Sequence, residues 1–183
     1  MVIGQLCFTA FASAKAYLNS PLLPFRMKCL NNAVLSVFAK PNEEDSAAIK
    51  QALIEFVPLD LAEEKITVQD EKAKGFNDQP IHIYTITLTK TAHTNAFLKK
   101  LLDLLQPEQK NTLIEQRESR LDNELNFFIR LDKDRWLASR EAALTDSGHC
   151  FHIKLHLAAF PARRPDGLLL VEKIFKHRNS PDE

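Results

Sequence analysis

The sequence predicts an α+β fold, an antiparallel sheet with helices packed on one face, in the order β-α-β-β-α-α-β-β-α. Three observations carry this. Stretches with the two-residue apolar alternation of strands are interleaved with stretches whose apolar residues recur at helical spacing. Twice, two strand stretches follow one another with no helix between them, which suits antiparallel neighbours and leaves few parallel crossovers. The clearest strand, "CFHIKLHLAAF", sends Phe151, Ile153, Leu155 and Leu157 to one face and His152, Lys154 and His156 to the other, the pattern of a sheet with one buried and one wet face.

The elements follow in order. "NAVLSVFAKP" has β-type residues and stops at Pro41, predicting a strand over about 32–39. "NEEDSAAIKQALIEF" has Asn42 as a capping residue and acids in the first turn, where the helix dipole favours them. Ile49, Ala52, Leu53 and Phe56 then fall at helical spacing, predicting a helix over about 43–56. "EKITVQDEKAKG" and "IHIYTITLTK" read as strands joined in a hairpin by the turn-rich "GFNDQP". "TAHTNAFLKKLLDLL" sets Phe97, Leu98, Leu101, Leu102 and Leu105 on one broad helical face. Pro107 suits the first turn of a further helix, to about 117. "ELNFFIRL" is a strand with Phe127, Ile129 and Leu131 on one face, and Pro165 and Asp166 open a last helix.

One domain, residues 30–178, is expected, with a poorly defined extension over 1–29 and a tail over 179–183. Within the extension, "ASA" at Ala12 to Ala14 has the look of a signal cleavage site, but no positive charge precedes the apolar run and Gln5 interrupts it. Two readings stay open: a loosely attached segment, or a start misassigned upstream of Met27. With 45% hydrophobic and 26% charged residues the chain has ample material for a core. Its 24 basic and 24 acidic residues balance, which argues against a sequence-blind coat for nucleic acid. Cys7, Cys29 and Cys150 are widely spaced and odd in number, so neither a disulfide frame nor a zinc ribbon is indicated, and a reducing cytoplasm fits. No apolar run approaches the roughly 18 residues of a membrane span.

Catalysis finds no foothold. No G-x-S-x-G elbow occurs, and none of the four glycines builds a phosphate loop or a dinucleotide fingerprint, so no cofactor is expected. "HCFHIKLH" looks like ligand spacing, but a strand rises about 3.3 Å per residue, which puts His152 and His156 roughly 13 Å apart. That is too far for one zinc, whose bonds are about 2.0–2.3 Å long. Asp132 and Asp134 lie among Arg130, Lys133 and Arg135 and read first as a solvated charge cluster.

The positive charge is unevenly placed. Between Gly148 and Arg178 the only acids are Asp166 and Glu172, against Lys154, Arg163, Arg164, Lys173, Lys176 and Arg178. The acidic segment from Glu43 to Glu71 balances them. Such asymmetry suits a polyanion on one face, and an open sheet carrying aromatic and basic groups can stack unpaired bases.

"FFIRLDKD" (residues 127–134) resembles the "hhhRLDKQ" signature of an archaeal family of predicted RNA-binding proteins, also described as exosome subunits. In the same order, "NAVLSVFAKPNEEDSAAIKQALIEF" resembles that family's opening strand, acidic cap and helix. "GFNDQPI" is similar to its "GxxGNPI" turn, and "FHIKLHLAAFPARR" to its final strand with an aromatic–proline corner. The resemblance covers roughly residues 30–175. Asp78, Gln79, Asp134 and Ser139 stand where the family favours Gly, Asn, Gln and Gly. The resemblance implies a fold like the ribosomal protein that binds 5S RNA, and RNA binding without catalysis. The expected phosphate contacts are Arg130, Lys133, Arg135, Lys154, Arg163 and Arg164, and the expected stacking residues Phe128 and His152. RNA is thus the expected partner, with protein subunits of an RNA-processing complex beside it. A protein–protein adaptor using the sheet face or an open edge is the second reading.

Overall fold

The computed structural model describes residues 28–40, 45–74 and 80–176. The extension over 1–27, Asn42, most of the "GFNDQP" turn, His177, Arg178 and the tail lie outside the described residues. The strands are β1 (Leu30–Ala39), β2 (Val68–Lys74), β3 (Pro80–Leu88), β4 (Asn126–Asp132) and β5 (Cys150–Leu157). The helices are α1 (Ser46–Ile54), α2 (Thr91–Leu104), α3 (Pro107–Glu115), α4 (Arg117–Arg120), α5 (Lys133–Ser139) and α6 (Arg164–Lys176). The expected α+β class holds.

The strands form one sheet in the order β2-β3-β1-β5-β4, and every neighbouring pair is antiparallel. Alternation along β1 sets the two faces. Ala33, Leu35, Val37 and Ala39 are buried, whereas Asn32, Val34 and Ser36 are partly exposed and Phe38 is 49% exposed. The covered face is closed by α1 and α2 on β1 and by the aromatic cluster of Phe56, Phe127, Phe151 and Phe175, all essentially buried. Among the described residues no helix packs on the other face.

Helix α1 begins later than its sequence pattern predicts, and its cap is Asp45 rather than Asn42. The Asp45 backbone is extended and its carboxylate accepts from the amides of Ala47 and Ala48 at 2.9 and 3.1 Å, satisfying donors that the first helical turn leaves open. Two short helices are added to the expected order. The four residues of α4 bury nothing, so no apolar periodicity announces them. Helix α5 is the helical turn after "FFIRLD": Asp132 ends β4 and its Oδ1 accepts from the Arg135 amide at 2.9 Å. Trp136 then passes under the sheet, stacks on Phe56 with ring centroids 4.0 Å apart, and donates Nε1–H to the Ala52 carbonyl at 3.0 Å.

The two sheet edges are guarded differently. The β4 edge is occupied: Asp122 and Thr145 amides donate to the Asn126 and Arg130 carbonyls at 3.1 Å each, and the Asp132 amide donates to Ala143 at 2.8 Å. The β2 edge carries exposed Asp70, Glu71, Lys72 and Lys74, a charged edge that discourages pairing with another strand. Among the described residues no helix is long and apolar enough to cross a membrane.

Candidate nucleic-acid interface

The open face is built by even-numbered residues of β4 and β5. In this register Phe128 lies opposite Lys154 and Arg130 opposite His152, so four of the sequence-predicted residues form one block. Across one diagonal the Phe128 and His152 rings stack, with centroids 5.6 Å apart and planes at 30°. Across the other stand the two cations. Arg130 is exposed and has no ion pair among the described residues. Lys154 is half-buried, with Asp122 as its neighbouring carboxylate. Burial alone would raise the Asp122 carboxyl, but bonds from Asn126 and the Glu124 amide, together with Lys154, hold it below its usual range.

His152 is pulled below the ordinary imidazole range by its burial, and then by the charges of Arg130 and Lys154. Each of these disfavours the protonated ring. At neutral pH it is a flat, uncharged surface beside Phe128, which suits stacking better than it suits pairing with phosphate.

The block opens sideways into a cleft of about 450 Å³ lined by Gln116, Ser119, Arg120, Phe128, Arg130, Asp146 and His152. Arg120 is the residue that sequence reasoning missed. Its side chain is 11% exposed, and its Nε and Nη2 donate to Gln116 Oε1 at 2.8 and 2.6 Å. Nη1 lies 3.5 Å from the Phe128 carbonyl and Nη2 lies 3.4 Å from Asp146 Oδ1. The Gln116–Arg120 spacing of four residues is the one signal in "QRESRLD" that points to such a pair. Nothing local shows that the guanidinium reaches the edge of β4.

The remaining predicted contacts are dispersed. Lys133 lies away from the open face: it is only 3% exposed and its Nζ donates to the Phe38 carbonyl at 2.9 Å. It begins α5 directly after the Asp132 cap, which turns its stem toward the end of β1 and away from solvent. Arg135 is exposed but faces Glu141 at 3.3 Å, in a different cleft bordered by Glu108 and Asp132. Arg163 pairs with Asp166 at 2.8 Å. Arg164 ties α6 to α4, its Nη1 meeting Glu118 Oε2 at 3.0 Å and its Nη2 donating to the Glu118 carbonyl at 2.6 Å. These arginines are not part of the β4–β5 block. Asp134, where the resembled family favours Gln, contacts His149 Nε2 at 3.0 Å.

Comparison with known proteins gives this face a context. A Pyrococcus abyssi protein named as RNA-binding is 23% identical over 121 residues, spanning 66% of this chain and 78% of that one. The crystal structure of an Archaeglobus fulgidus protein of family DUF54 superposes with a TM-score of 0.70 at 26% identity, covering 79% of this chain and 99% of the other. A DUF54 protein from Methanothermobacter thermautotrophicus shares the fold with a TM-score of 0.65 at 23% identity, covering 81% and 99%. A family model described as RNA binding matches residues 32–157, from β1 to the end of β5. That span holds the whole β4–β5 block and the Arg120 cleft, and by it the chain belongs to this RNA-binding family.

Proposed function

We propose that the protein binds RNA through the open face of β4 and β5, without catalysing a reaction on it, as an accessory protein of RNA processing at the exosome or of the ribosome. The block of Phe128, His152, Arg130 and Lys154 is the observation that carries this. Two flat rings present a surface for unpaired bases, where each stacked base contributes about 1–3 kcal/mol. Two cations flank the rings and attract the connecting phosphates. The family's description and the name of the Pyrococcus abyssi relative support the same class of ligand. Arg163, whose side chain is largely exposed, adds charge at the start of α6 for a longer strand of RNA.

A salt series tests the reading. Binding of single-stranded and structured RNA is measured for the full chain and for an Arg130→Glu, Lys154→Glu variant. Expected is affinity that falls steeply with salt and is lost in the variant. Absence of binding by the wild type at low salt would sink the proposal. The adaptor reading then takes over. It is favoured by Phe38, Phe160 and Leu169, large apolar side chains that are exposed, and a partner protein would co-purify. The finer assignment rests on which assembly retains the protein through purification at moderate salt: exosome, ribosome or neither.

A further inference from the structure

We propose that the cleft between α4 and the β4–β5 block is a pocket for one unpaired nucleotide, whose phosphate displaces the Asp146 carboxylate from Arg120 while its base lies against Phe128. This rests on the RNA-binding reading and names the form of RNA that the face accepts.

The size and walls of the cleft support it. About 450 Å³ falls within the range of roughly 300–1,000 Å³ of small-molecule sites. Gln116, Arg120 and Asp146 line it together with Phe128, Arg130 and His152 of the sheet. Two guanidiniums, those of Arg120 and Arg130, line the cleft with the rings. Arg120 is held in place by two bonds to Gln116 Oε1 and by the Phe128 carbonyl, so it is oriented before any ligand arrives. Arg130 is exposed and without an ion pair among the described residues. A fixed and a free guanidinium beside an aromatic surface are what a base with its phosphate requires, since arginine matches phosphate oxygens with its planar fork.

Asp146 is the informative neighbour. Its side chain is 86% exposed, yet it lies 3.4 Å from Arg120 Nη2. Nothing buries this carboxylate, so a stronger anion can replace it at little cost. It stands where a phosphate oxygen would stand. A duplex offers no free base to such a cleft, because its bases are paired and stacked inside the helix. The pocket therefore selects single-stranded RNA.

The test uses the full chain and two probes: a single-stranded 12-nucleotide RNA, and the same strand annealed to its complement. The wild type is expected to bind the single strand at least ~10-fold more tightly, since only there are bases free to stack. Asp146→Asn is expected to tighten single-strand binding roughly 3-fold or more by removing the competing anion. Glu71→Gln on β2 makes the same charge change at the far edge of the sheet and serves as the control. Arg120→Gln is expected to weaken binding about 10-fold. Because this substitution also disturbs the contacts with Gln116 and Phe128, the exposed Asp146→Asn decides. Equal gains in Asp146→Asn and Glu71→Gln, or equal binding of duplex and single strand, would overturn the pocket and leave RNA binding standing. Failure of the wild type to bind either probe would instead remove the open-face reading itself.

Discussion

Phe128 and His152, diagonal neighbours on β4 and β5, hold their rings 5.6 Å apart and 30° from parallel on the uncovered face of the sheet. One ring is permanently neutral and the other is kept neutral by its surroundings. Phe128→Ala is expected to weaken binding of single-stranded RNA by about 1–3 kcal/mol, the range for loss of one stacked base. Phe128→Tyr, which keeps the ring, should retain the wild-type affinity. Fluorescence anisotropy with labelled RNA reads both, and thermal unfolding checks that Phe128→Ala remains folded. Unchanged affinity in the alanine variant would end the stacking role.

His152 makes stability depend on pH. Its folded-state pKa is lowered by burial, then by Arg130 and Lys154. The groups around it are Arg130 and Phe128 on β4, Lys154 on its own strand, Ser36 on β1, and Arg120 and Asp146 across the cleft. Because the folded value lies below the unfolded one, the unfolded chain takes up the proton first. The stability contributed by the neutral ring is therefore lost as pH falls below the unfolded value of about 6.5. Stability in urea should fall as pH drops from about 7.5 to 5, and His152→Gln should lessen that fall. A fall of the same size in His152→Gln would show that the imidazole is not its source.

Lys133 serves the fold. Its ammonium is buried and donates to the Phe38 carbonyl at 2.9 Å, joining the start of α5 to the end of β1. Lys133→Met keeps most of the packing stem but removes the donor, and is expected to lower stability in urea by about 1–3 kcal/mol. RNA affinity of the folded variant should stay within twofold of wild type. A large loss of affinity without loss of stability would return Lys133 to the binding surface.

Trp136 gives a second separation of folding from binding. It stacks on Phe56 at 4.0 Å and donates Nε1–H to the Ala52 carbonyl at 3.0 Å. Trp136→Phe retains the stack and loses the hydrogen bond, for an expected cost of about 1 kcal/mol. Trp136→Ala loses both, for about 3–5 kcal/mol. Circular dichroism during urea unfolding measures the difference. A phenylalanine variant as unstable as the alanine variant would mean that the hydrogen bond, and not the ring, holds α5 to α1.

Much of the site was legible because strand alternation is a strictly local property. Residues 128, 130, 152 and 154 had to share parity within their own strands once Phe127, Ile129, Phe151 and Ile153 were assigned to the core. Lys133 and Arg135 do not join the β4–β5 block because they lie beyond the strand, where α5 begins and the two-residue period ends. Arg120 was illegible for a different reason. Its segment has no apolar face, and its position beside Phe128 depends on how α4 packs against β4 and α6.

The sequence by itself determined the α+β class, the hairpin of β2 and β3, and which side of β4 and β5 meets solvent, since periodicity and turn residues encode these over short spans. Strand order was left to the tertiary structure. β5 arrives last in the chain and inserts between β1 and β4, a pairing fixed by long-range packing of the shared core. That insertion sets His152 beside Phe128 and Lys154 opposite it. Two strand faces, each unremarkable alone, thereby become one surface of stacked rings and flanking charges.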